Sequence, residues 1–131
     1  GVRHFFFVSN NSTDSTNDYL AAQPDVSLWI SAHSYKLSRF GMDWFPWLQF
    51  RYANRHWCLT LDADEILIYP FYQTRPLGAL TDWLDNQNIP SFGAMMLDMY
   101  PKERVQDCAY VPKQNPFDIL NWFDSGNYFI P

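Results

Sequence analysis

The chain has 131 residues, enough for a single domain with a real core. It is 47% hydrophobic and 19% aromatic, a composition that supplies ample apolar area and excludes a disordered chain. The formal net charge of -5 has the wrong sign for a surface that neutralises many phosphates, so a nucleic-acid partner is excluded, while one nucleotide bridged through a divalent cation is not.

The first element expected is a strand over His4-Phe5-Phe6-Phe7-Val8, a continuous apolar run bounded by turn residues. A polar turn at 10–13 follows, then a helix capped by Asp14 or Ser15 that carries Tyr19 and Leu20 inward and ends near Gln23-Pro24. Val26 to Ile30 reads as a second strand. From Met42 to about Asn54, Trp44, Phe45, Leu48 and Tyr52 recur at helical spacing, with Pro46 in the first turn.

Trp57 to Leu61 is another apolar run, expected as a buried strand with an acidic cluster at its carboxyl end. Ile66 to Tyr69 continues extended, and Pro76 to Asn86 is a helix burying Leu77, Leu80, Trp83 and Leu84. Phe92 to Leu97 is expected as a further strand. Beyond Pro101 the chain turns irregular, with room for a short helix. Alternating strands and helices of this kind imply an α/β fold, a mostly parallel sheet flanked by helices, with ligands beyond the carboxyl ends of the strands. The loop from Asn10 to Asp14 and the cluster from Asp62 to Glu65 both fall there.

Asp62, Asp64 and Glu65 are three carboxylates in four positions, a costly grouping at a buried strand end unless a cation compensates it. In an extended segment Asp62 and Asp64 project to one side and Glu65 to the other, toward a structural partner. That assigns the metal to Asp64 and Asp62, with Asp62 also within reach of a ribose. The same Asp-x-Asp after an apolar strand suits a phosphohydrolase of the haloacid-dehalogenase kind, with Asp62 as nucleophile and Asp64 as acid/base. The late acidic pair of that chemistry is missing. A calcium loop of the EF-hand kind fails for want of the glycine and the twelfth-position glutamate. A third reading is a non-catalytic interaction domain with a degenerate pocket.

Two segments together, Gly1 to Thr16 with its Ser9-Asn10-Asn11-Ser12-Thr13-Asp14 loop and Trp57 to Leu67 with Leu61-Asp62-Ala63-Asp64-Glu65, resemble bacterial family 2-type glycosyltransferases of the GT-A fold. Leu97-Asp98-Met99-Tyr100-Pro101 and Phe123-Asp124-Ser125-Gly126-Asn127-Tyr128 are similar to that branch as well. The resemblance implies a three-layer, Rossmann-like GT-A domain that transfers a sugar from a nucleotide-diphosphate donor, with UDP favoured, to a glycan or lipid-linked acceptor. It implies Mn²⁺ or Mg²⁺ held by Asp62 and Asp64, and a nucleotide held by Asn10, Asn11, Asp14 and Asp62. Asn10 and Asn11 stand where most relatives carry Asp. Asp98 and Asp124 are the candidate general bases, and Trp122, Phe123 and Tyr128 a candidate stacking surface for a sugar.

Relatives open with a further strand in mid-sheet and extend well beyond the acceptor-side segment 102–131. The chain is therefore expected to be a single, partial GT-A-like domain, incomplete at its N-terminus and possessing a sheet edge that a second copy could pair. Two cysteines, Cys58 and Cys108, form no disulfide framework, and no leader or run of about 18 apolar residues is present, so a cytoplasmic setting is expected.

Overall fold

Phenylalanines 5 to 7 and Val8 supply the stiff apolar run of strand β1 (Phe5–Asn10), and Val26 to Ile30 supply that of β2 (Val26–Ser31). The two strands pair in parallel, Phe5 opposite Val26 and Asn10 opposite Ser31. Parallel pairing requires a crossover, and here it contains helix α1 (Thr16–Ala21), which packs against β2. In this computed structural model residues 1–126 are described, and they divide between two compact units, Gly1–Pro90 and Ser91–Pro131. Tyr128 lies outside the described residues.

Strand alternation and register place Phe6, Val8 and Trp29 on one face of the sheet and Phe5, Phe7, Leu28 and Ile30 on the other. On the first face the Phe6 ring lies 5.7 Å from Trp29 and 5.6 Å from Tyr52, and Trp29 and Tyr52 are 5.4 Å apart. Such ring pairs add about 0.5–1.5 kcal/mol each beyond area burial. Tyr52 is the last residue of α2 (Trp44–Tyr52), so this aromatic triangle ties the carboxyl end of that helix to the sheet.

The approach to α2 is a tight loop in which Arg39, Phe40 and Gly41 adopt φ of 49°, 57° and 82°. A side chain at position 41 would bring Cβ within 3.3 Å of the Tyr35 ring, so this left-handed turn needs its glycine. Arg39 and Asp43 form an ion pair across the loop just before the helix starts. Within α2, Leu48 is buried at 8% exposure, whereas Phe50 is 90% exposed. Apolar residues thus surround the helix, and only one side of it is covered.

Helix α3 (Leu77–Asn86) begins directly after Pro76, whose missing N–H costs nothing at a helix start. Leu84 is its anchor at 2% exposure, with Leu77 and Leu80 half-buried. Trp83, expected to pack inward, is 54% exposed, because its neighbour Leu84 takes the covered face and adjacent helical positions diverge by about 100°. Tyr19 of α1 is likewise exposed, contrary to expectation.

Among the described residues the sheet has two strands. The runs 57–61 and 92–97, expected as strands, carry no regular secondary structure. The first is attached to the helices by side chains instead: Gln49 Nε2 donates to Thr60 Oγ1 at 2.8 Å, and Trp57 Nε1 donates to Asp85 Oδ1 at 3.0 Å. The architecture is therefore mixed α/β around a small parallel sheet.

The described part of the second unit, residues 91–126, is irregular, as its prolines and polar residues imply. One antiparallel bridge joins Tyr100 to Trp122 through backbone bonds of 2.9 and 3.1 Å, and short 3₁₀ turns occupy Val105–Asp107 and Pro116–Asp118. Asn115 accepts from the Phe117 N–H and starts the second of these turns.

Candidate functional site

Polar side chains hold the loop after β1, some within it and some reaching to the end of β2. Ser9, buried at the strand end, donates its hydroxyl to Ser12 Oγ at 2.8 Å. Asn10 spends both hydrogens of its amide on backbone carbonyls, Ser31 O and His33 O, each at 2.9 Å. Its nitrogen thus fastens the end of β1 to the end of β2 and the residues just beyond. Asn10 was expected against a base or ribose; its amide donors are instead committed within the fold. The two carbonyl partners also explain why an amide stands here, since a carboxylate would turn acceptors toward acceptors.

Asn11 follows with φ 55°, a left-handed conformation that Asn tolerates better than most residues, and its side chain is exposed. Asp14 Oδ1 accepts from the Thr16 N–H at 3.0 Å, and hydrogen bonding with Thr16 holds the carboxyl below its ordinary value. Asp14 is thus seated at the start of α1. Three positions further on, Asn17 Oδ1 is closed off from solvent without a hydrogen-bond partner. A buried acceptor left unsatisfied costs about 1–3 kcal/mol. Sequence reasoning passed over Asn17, which offered only the weak signal of an asparagine inside a first helical turn.

The acidic segment is a turn rather than an extended strand end. Glu65 N–H donates to Asp62 O at 3.1 Å, and Asp62 N–H donates to Glu65 Oε2 at 2.9 Å, so the two residues close the turn reciprocally. The alternation argued for Asp62 and Asp64 therefore does not describe this segment. Its conclusion for Glu65 does hold, because that side chain, half-buried, has a structural partner, while Asp62 and Asp64 are exposed.

Among the described residues no three His, Cys, Asp or Glu side chains are grouped to hold a metal ion. Asp62 and Asp64 still offer hard oxygen donors of the type Mg²⁺ and Mn²⁺ take, and such ions commonly use one or two carboxylates and complete their shell with phosphate and water. The donor chemistry fits. No hydrogen bond or ion pair among the described residues links this turn to the Asn10–Asp14 loop.

In the second unit Asp98 is exposed, and Asp124 Oδ1 accepts from the Tyr100 hydroxyl at 2.7 Å. Both cysteines are free thiols, and partial burial pushes the Cys58 thiol up, away from nucleophilic use. No helix among the described residues is long and apolar enough to cross a membrane. No protein-family model, no curated protein and no solved structure matches the chain.

Proposed function

We propose that the chain is the nucleotide-sugar-binding core of a metal-assisted glycosyltransferase, which moves a sugar from a UDP-type donor to a hydroxyl of a glycan or lipid-linked acceptor in the cytoplasm. The observation that carries this reading is the parallel β1–α1–β2 unit with a polar loop at the carboxyl end of β1, the place where open α/β sheets take their ligands. The resemblance of that loop and of Asp62-Ala63-Asp64-Glu65 to family 2-type transferases supports it further, and the reading includes a full three-layer GT-A arrangement for the domain.

In this reading Asp62 and Asp64 hold Mn²⁺ or Mg²⁺, with Glu65 keeping the turn closed behind them. When bound there, such an ion would supply Lewis-acid stabilisation of the charge on a departing diphosphate. Exposed Asn11 is the loop residue left to meet the nucleotide, with Asn10 and Asp14 shaping the loop that presents it. For the acceptor's proton, Asp98 is the better candidate of the two carboxylates, because Tyr100 already occupies one oxygen of Asp124.

Calorimetric titration with UDP tests the reading. Heat is expected with Mn²⁺ present and not without it, and Asp64→Ala weakens binding by roughly tenfold or more. Absence of heat in both conditions overturns the proposal in favour of a non-catalytic domain. Hydrolysis of a generic phosphoester that disappears in Asp62→Asn overturns it in favour of a phosphohydrolase.

A further inference from the structure

Positive charge is concentrated in one stretch of an acidic chain. Residues 33–56 hold four of its nine Lys and Arg (Lys36, Arg39, Arg51 and Arg55) and one of its fourteen Asp and Glu, Asp43. Four against one gives this stretch a formal charge of +3, where the whole chain carries -5. Arg39 and Asp43 neutralise each other as an ion pair, and Lys36, Arg51 and Arg55 are exposed outside it.

The same stretch carries the two most exposed large apolar side chains among the described residues, Phe50 at 90% and Leu37 at 84%. Leu48 is the buried residue of α2, while Trp47, Phe50 and Arg51, spaced i, i+3 and i+4, share another side of that helix and are all exposed. Leu37 and Lys36 lie in the preceding loop, which its own backbone bonds hold in place. Phe40 N–H donates to Tyr35 O at 2.9 Å, Ser38 N–H donates to Ser34 O at 3.0 Å, and the Tyr35 ring lies 6.1 Å from that of Trp44 at the helix start. Folded in this way, the loop still leaves Leu37, Phe40 and Met42 in solvent.

Exposed apolar side chains interleaved with exposed cations select among possible partners. A second copy is disfavoured, because a two-fold contact sets this positive stretch against itself. A nucleic acid supplies phosphate but no apolar phase for Leu37 and Met42. An anionic bilayer supplies both: headgroup charge for Lys36, Arg51 and Arg55, the acyl boundary for Leu37, Phe40 and Phe50, and an interfacial level suited to the Trp47 indole. We propose that residues 33–56 dock the first unit on an anionic membrane surface. The rest of the chain, net negative, is repelled by the same headgroups, which favours this stretch as the contact. It includes neither the Asn10–Asp14 loop nor the Asp62–Glu65 turn, so the docking does not depend on the transferase reading.

The test sediments the full chain with sucrose-loaded vesicles, one set of phosphatidylcholine alone and one of equal parts phosphatidylcholine and phosphatidylserine. Binding is expected to the mixed vesicles, several-fold weaker to phosphatidylcholine, and falling as salt is added. Lys36→Glu combined with Arg55→Glu weakens binding to the mixed vesicles roughly tenfold or more and removes their advantage. Phe50→Ser and Leu37→Ser each weaken it roughly tenfold while the salt dependence stays. These positions are exposed, so each variant is expected to keep the circular dichroism of the parent. The readout involves neither nucleotide nor metal, which separates its outcome from that of the UDP titration. The proposal is overturned if the parent ignores the mixed vesicles, if it binds both sets equally, if both serine variants bind like the parent, or if polyuridylate retains the chain where the vesicles do not.

Discussion

The loop that follows β1 is held from outside itself, whereas the acidic turn from Asp62 to Glu65 is closed by its own atoms. In the loop, the Asn10 amide reaches two carbonyls of the β2 end, and Asp14 grips the first N–H of α1. In the turn, the reciprocal bonds run between Asp62 and Glu65, and the carboxylates of Asp62 and Asp64 face solvent. A loop fastened to its neighbours has most of its polar groups committed to the fold, so substitutions there register first as stability. A self-closed turn with exposed charges has groups to spare, so under the proposed function substitutions there are expected to register first as altered ligand binding. Polar residues of similar type at the two places thus carry different duties.

The largest stability effect is expected at Asn10. Asn10→Ala removes two hydrogen bonds to backbone carbonyls, with an expected loss of about 1–3 kcal/mol. Asn10→Asp is expected to cost more than Asn10→Ala, because it turns a negative charge toward two carbonyl oxygens. Urea denaturation of the three chains checks both statements. If Asn10→Asp proves as stable as the parent, the loop is not fastened in this way and the contrast with the acidic turn collapses.

A smaller change is expected at Glu65. Its carboxylate accepts a single N–H at the edge of the turn, so Glu65→Ala should lower stability by only about 0.5–1 kcal/mol, and Glu65→Gln, which retains an acceptor oxygen, by less. The same denaturation measurement applies, followed by UDP titration with Mn²⁺. The contrast sharpens if Glu65→Ala weakens metal-dependent binding more than its small stability loss would suggest, because an opened turn no longer presents Asp62 and Asp64. A large loss of stability at Glu65 would instead mean that the turn, too, is part of the framework.

How far these duties can be read from sequence depends on the range of the interactions. β1, β2, α2 and α3 were legible within a few residues, because apolar periodicity and the Pro76 start signal are local. The run at 57–61 misled for the complementary reason: an apolar stretch advertises burial without naming a partner, and here Thr60 and Trp57 find theirs as side chains on α2 and α3. The Asn10 role was invisible, since its acceptors lie 21 and 23 residues further on. The acidic segment was recognised as chemically notable from composition alone, but its turn depends on a Glu65 carboxylate folding back to Asp62, which strand periodicity could not anticipate.

The smallest effect is expected at Asp14, and there pH separates capping from ligand binding. Hydrogen bonds with Thr16 hold the Asp14 carboxyl below its ordinary value, so the ionised form is favoured in the folded chain. A depressed folded value contributes stability that is fully present above the ordinary carboxyl range, near about pH 4, and is lost as pH falls through the depressed value. The parent and Asp14→Ala should therefore differ slightly in urea midpoint at neutral pH and converge in acid. Asp14→Asn, which retains an acceptor oxygen without a titrating group, should show no such acid-linked change at this site. Because Asp14 is exposed, the neutral-pH gap is expected to be the least of the three and the most sensitive to salt. A gap that persists unchanged at low pH would show that the start of α1 does not depend on the ionised carboxylate, leaving Asp14 available as a nucleotide contact.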